Sequence, residues 1–376
     1  MLAVSTLYII PRKGKVVKFP WYLWLPWFVW VGYKSDFSNM AAIQRLAILL
    51  TPIFVASVCS SFQKVNLKMI KKSYDVLWVG SLCIYGCAVL QSGSLLADAD
   101  FYTVEGIAMT FTLIAVAAIA GINKTAKQGY ITFVLCLLIL IFTRSRMPVL
   151  VLPAILIFGF HNISMRNRII LCIFLVCGAT ILFMSAPAQE NIFLSGYGSL
   201  SDIISLDPTL VKASGRLTAW PLYIKGIENI WFGDGSTESV VFGNATFGAG
   251  KWSHPHNEYI RVLFDYGIIG IVLLSVPVVW LLALLYKKGR SNNANDMRWL
   301  CFVGFNGVFA TLLLGISGNV LMYVAYIGNV LFATIGYTFA FEDKTINARN
   351  TSYENLFGSQ QTWQTQWRRG NGLSYQ

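Results

Sequence analysis

Ten apolar runs with little or no charge punctuate the chain, at about 19–33, 46–62, 76–92, 104–121, 130–143, 147–160, 169–186, 260–286, 298–316 and 319–341. A helix needs roughly 20 apolar residues to cross the hydrocarbon core of a bilayer, so this pattern predicts membrane helices. The runs 130–143 and 147–160 are short and are separated by Thr143-Arg144-Ser145-Arg146. They predict either tilted helices or a helix pair that meets below the membrane surface. The first run, FPWYLWLPWFVWVGY, is crowded with Trp and Pro and also suits the membrane–water interface. Residues 1–10 are apolar but too short to span. They read as the remnant of a helix that starts earlier, and no positive n-region or cleavage site marks them as a signal peptide.

Between the seventh and eighth runs lies a polar stretch, 187–258, rich in Gly, Ser, Asn and aromatic residues. It is too long for a simple turn and predicts a loop with short helices of its own. The expected fold is therefore all-α: a polytopic membrane protein of about 10–11 transmembrane helices with a large periplasmic loop between spans 7 and 8. Its expected divisions are 1–186, N-terminal transmembrane helices; 187–258, periplasmic loop; 259–341, C-terminal transmembrane helices; and 342–376, a cytoplasmic tail. The tail is polar, carries Trp363, Trp367 and Tyr375, and reads as disordered.

Composition fits this picture. Of 376 residues, 56% are apolar and 12% charged, about half the charge of a soluble domain. The net charge is +12, from 29 basic and 17 acidic residues. In a soluble chain that excess would point to nucleic acid. Here it divides by side. The segments around Arg12–Lys18, Lys64–Lys72, Lys124–Lys127, Arg166–Arg168, Lys287–Arg298 and Lys344–Arg369 alternate along the chain, and together carry 20 basic and five acidic residues. Everything else holds nine basic and twelve acidic residues. Basic loops stay in the cytoplasm, so both termini are expected there, and no nucleic-acid partner is needed. All seven cysteines sit in apolar runs and read as buried hydrophobes, not as a disulfide framework.

Candidate chemistry gathers in and beside the long loop. It contains Ser214-Gly215-Arg216-Leu217-Thr218-Ala219-Trp220, then Trp231-Phe232-Gly233-Asp234-Gly235, then His254-Pro255-His256-Asn257-Glu258-Tyr259-Ile260. The last runs into Asp265-Tyr266-Gly267-Ile268-Ile269-Gly270. With Ser145-Arg146 after a short span, this order resembles the O-antigen ligase and Wzy-type polymerase family over roughly residues 130–285.

The resemblance implies a bacterial inner-membrane, multi-pass glycosyltransferase of GT-C-like architecture. It implies transfer of glycan from an undecaprenyl diphosphate-linked oligosaccharide to an acceptor hydroxyl, without metal or other cofactor. In the polymerase the acceptor is a second lipid-linked repeat unit; in the ligase it is a lipid A core sugar. The polymerase is the favoured reading, since such enzymes serve many surface polysaccharides. A chain-length regulator and a flippase are the implied partners, beside the lipid bilayer itself.

The residues suit that chemistry. Guanidinium groups stay charged and grip phosphate oxygens in a fork, which fits Arg146 and Arg216 as diphosphate ligands, with Arg144 as a substitute for Arg146. A neutral imidazole can take the acceptor's proton, which fits His256, and His254 would share its side if the stretch is extended.

Each residue also has a plainer reading. Arg144 and Arg146 could snorkel to headgroups, Arg216 could be a surface residue, and His256 could cap the eighth span. A metal would need a third ligand beside the two histidines. Asn257 fits an N-cap and Glu258 the positive end of the helix dipole, and either could orient His256. Arg261 and Asp265, four apart, are expected to neutralise each other. Gly233 and Gly235 are expected to let the chain turn tightly. A flippase or ion-coupled transporter is the competing class, but it would place ionisable groups deep in the spans. The central portions of these ten runs contain none.

Overall fold

The computed structural model describes residues 17–62, 67–92, 101–121, 126–142, 146–159, 165–184, 189, 193–205, 207, 209–211, 215–248, 253–291, 295–316, 318, 320 and 328–340. Among these, regular structure is helical throughout apart from one antiparallel bridge between Phe193 and Val211. A 3-10 turn, Trp21–Trp24, leads into α1, Leu25–Tyr33. Then come α2, Met40–Ser60; α3, Leu67–Ser92; α4, Phe101–Gly121; α5, Ala126–Phe142; α6, Arg146–Phe158; and α7, Met165–Phe183. The long connection carries α8, Leu200–Ser205; α9, Arg216–Lys225; and α10, Glu238–Phe247. The chain returns as α11, Glu258–Ser291, and α12, Asn295–Leu314, with a further helix, α13, over residues 328–340.

Nine of the ten apolar runs thus fall mainly on helices, and in the tenth the described stretch 328–340 is helical. Four helices, α2, α3, α11 and α12, are long and apolar enough to cross a membrane. The first run is only nine residues of α-helix after its 3-10 turn, about 14 Å of rise. That is half a bilayer, in keeping with its interfacial reading. The tail from 341 on, residues 1–16, Arg144 and His161 lie outside the described residues.

α4 occupies the middle of the bundle. Ala108, Phe111, Ala115 and Val116 are fully buried, and nearly the whole helix from Ala108 to Ala120 is shielded. Its small residues let α3, α5, α6 and α12 pack closely around it. By contrast α3 turns Met69, Val76, Val79 and Ile84 outward, and α11 turns Val272, Val276 and Val279 outward. Such apolar surface on long apolar helices is what lipid covers. Cysteine use follows the same division. Cys59, Cys136 and Cys301 are buried as expected, whereas Cys83, Cys87 and Cys177 are exposed on helix faces. An apolar run does not reveal which of its sides meets protein.

Candidate active site at the head of α11

α11 is broken near its start. Gly267 has φ 69° and ψ −173°, so the helix stops and restarts across it. A break frees backbone groups that must find partners in an apolar setting. The segment 230–236 supplies them. Ile268 and Ile269 N–H donate to the carbonyls of Ile230 and Trp231, at 2.9 and 3.2 Å. In return Asp234 and Gly235 N–H donate to the carbonyls of Phe264 and Asp265, at 2.9 and 3.1 Å.

This close crossing explains two glycines. A Cβ on Gly233 would stand 2.5 Å from the Gly267 nitrogen, and one on Gly267 would stand 2.3 Å from the Trp231 carbonyl oxygen. Both also have positive φ. The expected tight turn is therefore a lock between the connection and the span. Asp234 completes it by accepting from Glu228 and Asn229 N–H at 3.1 and 2.8 Å.

The first turns of α11 collect charge. Asn257 is the N-cap, its Oδ1 accepting from Tyr259 and Ile260 N–H, each at 3.0 Å. Glu258 N–H donates to Gly315 O at 2.8 Å, and the Tyr259 hydroxyl to Leu312 O at 2.7 Å, which ties this turn to the end of α12.

The expected Arg261–Asp265 pair does not form. Arg261 pairs with Glu258, one turn back. Asp265 pairs instead with Arg45 of α2 and also accepts from Ser239 N–H at 2.9 Å. Spacing alone allowed two partners for Arg261, and tertiary packing brought Asp265 a better-placed cation. All four charged side chains are buried: Arg45 4%, Glu258 6%, Arg261 3% and Asp265 1% exposed. Charges buried so deeply hold only as pairs.

The two histidines precede this cluster. His256 is buried, with φ 49°, so the stretch is not extended and strict alternation of sides does not apply. Among the described residues, His256 and Thr237 are the non-glycine residues with positive φ, and Thr237 is the N-cap of α10, next to the same cluster. Strain of this kind persists where surrounding packing enforces it, often at functional sites.

His254 lies close by. Its pKa is pushed down to about 4, first by burial and then by Arg261, Arg45 and His256. It is therefore neutral at pH 7 and stands in a positive field. The Trp220 Nε1–H of α9 donates to the Pro255 carbonyl at 2.7 Å, between the histidines. Arg216, the first residue of α9 and half-buried, sits one turn before Trp220 and shares its face. A small aromatic core holds α9 in place: Tyr223, fully buried, packs on Phe242, Phe247 and Phe264 at 5.4, 5.8 and 6.2 Å.

Below the cluster runs an apolar cavity of about 370 Å³, along α11 from Glu258 and Tyr259 to Val279. Trp24, Trp27, Leu49 and Leu331 are among its walls, so α1, α2 and α13 enclose it with α11 and α12. Among the described residues no group of three His, Cys, Asp or Glu is placed to hold a metal ion.

The sequence-predicted residues His254, His256, Asn257 and Glu258 thus stand together, and Arg216 lies on the helix face turned to them. Arg146 begins α6, which packs on α4, α5, α7 and α12. Arg45 and Arg261 were missed as members of the cluster. Arg45 had a signal: it opens an apolar run with no acid three or four positions away on its own helix.

Residues 131–275 match the family model described as O-antigen ligase. The match runs from α5 through the connection and past the Gly267 break, so it contains the two histidines, Arg216 and Arg261. Over these residues, which are less than half of the chain, the protein is similar to the O-antigen ligases. No curated protein matches the chain.

Proposed function

We propose that this chain is a polysaccharide polymerase of the bacterial inner membrane. It would transfer a glycan from undecaprenyl diphosphate to a sugar hydroxyl on a second lipid-linked repeat unit. The observation that carries this reading is the buried His–Arg cluster at the head of α11, set directly above an elongated apolar cavity. An anionic head on a long hydrocarbon chain matches both halves of that arrangement.

In the proposed reaction the acceptor oxygen attacks the anomeric carbon while the bond from that carbon to the diphosphate oxygen breaks. The bonding pair leaves with the diphosphate, and the hydroxyl proton passes to His256. A positioned base of this kind contributes about 10²–10⁴-fold. Arg216 and Arg146, with Arg144 as substitute, meet the charge that grows on the leaving group. His254 is neutral at pH 7, so it would add a hydrogen bond without a charge. Asn257 and Glu258 hold the helix end that carries the base. The connection between α7 and α11 would face the periplasm, both termini the cytoplasm, and no metal would take part. A flippase that delivers the carrier and a chain-length regulator are the proposed partners.

The ligase is the alternative, favoured by the likeness of residues 131–275 to the O-antigen ligase family. The two differ in product. The purified chain is given a defined undecaprenyl diphosphate repeat unit, with and without a lipid A core acceptor. Carrier-linked polymer formed without the core supports the polymerase, and core-linked glycan alone supports the ligase. No glycan transfer under either condition would sink both.

A further inference from the structure

Arg261 is 3% exposed and its Nη2 meets the Glu258 carboxylate, yet its Nη1 has no hydrogen-bond partner among the described residues. Buried donors are nearly always paired, because leaving one unmade forfeits its hydration without return. His254 Nδ1 is a second buried polar atom without a partner among the described residues. It belongs to the same cluster, since Arg261 is the charge that acts on it most strongly. Glu258, the resting partner of Arg261, is also a wall residue at the head of the apolar cavity, beside Tyr259 and Gly315. A cation with a spare N–H therefore stands behind a carboxylate, at the point where the long apolar cavity meets the polar cluster.

We propose that Arg261 is a further diphosphate ligand, drawn from Glu258 by the incoming lipid carrier while the first isoprene units of that carrier fill the apolar cavity. This rests on the reading of the donor as a lipid diphosphate. A guanidinium presents five donors and can serve a carboxylate and a phosphate oxygen in turn. In the resting protein Glu258 keeps Arg261 from being an unpaired buried charge, which would be strongly unfavourable. When the diphosphate arrives, two anions compete for one guanidinium. Removing the charge of Glu258 therefore strengthens diphosphate binding, whereas removing Arg261 weakens it.

Direct binding to the full chain in nanodiscs tests this, with undecaprenyl diphosphate and uncharged undecaprenol as probes. Arg261→Gln should weaken diphosphate binding by about tenfold or more and leave undecaprenol binding unchanged. Glu258→Gln should tighten diphosphate binding severalfold. Wild-type affinity for the diphosphate in Arg261→Gln overturns the proposal. So does an equal loss of both lipids in both variants, which is what a purely structural ion pair predicts. If the single variants do not fold, the double variant Arg261→Gln/Glu258→Gln leaves no buried charge unpaired. It should bind undecaprenol normally and lose the preference for diphosphate, and retention of that preference overturns the proposal. Wild-type protein with no preference for diphosphate over undecaprenol would overturn the donor assignment itself, and this inference with it.

Discussion

His256 sits on a backbone that most side chains avoid, with φ 49° and little exposure. Asn tolerates that left-handed conformation better than most residues, so His256→Asn removes the imidazole while keeping the turn comfortable. We expect a protein that purifies and melts like wild type but forms product about 10²–10⁴-fold more slowly in the defined-substrate assay. His254 gives a different signature. In the unfolded chain it takes a proton near pH 6.5, and in the folded chain only near 4. Between those values the unfolded state holds the extra proton, so stability falls as pH falls. The thermal midpoint should therefore drop between pH 6.5 and 4.5, and drop less in His254→Gln. Equal drops would remove His254 as the cause. At this scale the histidines, the cap and Arg216 were legible because their residue types are rare beside apolar spans. The partners of Asp265 were not. Arg45 lies 220 positions away in sequence, and no local spacing rule reaches that far.

The elements were legible where hydrophobicity alone decides. An apolar run of sufficient length needs no knowledge of its neighbours to become a helix in lipid, and over the described residues the ten runs are mainly helical. The Gly267 break was hidden, because Tyr266-Gly267-Ile268-Ile269-Gly270 reads as uninterrupted apolar helix. Its cause is the crossing segment at 230–236, which takes over the hydrogen bonds that the helix gives up. A methyl group at Gly267 would strike the Trp231 carbonyl and also force a disfavoured φ. Gly267→Ala should therefore release the connection from the span, costing about 3 kcal/mol or more. Faster proteolysis between α9 and α10 would report it, and wild-type protection would count against the lock.

For the whole molecule the charge pattern makes the strongest claim. The basic segments that alternate along the chain should share one side of the membrane, opposite the connection between α7 and α11. Cysteines placed at Lys288 and at Lys225, in a background without reactive thiols, should label from opposite sides with an impermeant maleimide. Labelling from the same side would reverse the topology and move the histidine cluster to the cytoplasmic face. The burial of α4 from Ala108 to Ala120 was not legible, because a helix surrounded by protein and one surrounded by lipid are equally apolar.

The lock at Gly267 also sets the terms for engineering. Under the proposed transferase function, the connection is the natural segment to exchange between related chains when new sugars are wanted, and its ends look like the obvious junctions. Yet Asp234 and Gly235 hydrogen-bond Phe264 and Asp265 within α11, while Ser236 N–H reaches the Lys34 carbonyl beside α1 at 2.9 Å. A chimera cut at 187 and 258 would pair a foreign segment with the native break. The unit that can be transplanted is discontinuous: residues 228–239 must travel with 264–269, and with the end of α1 that receives them.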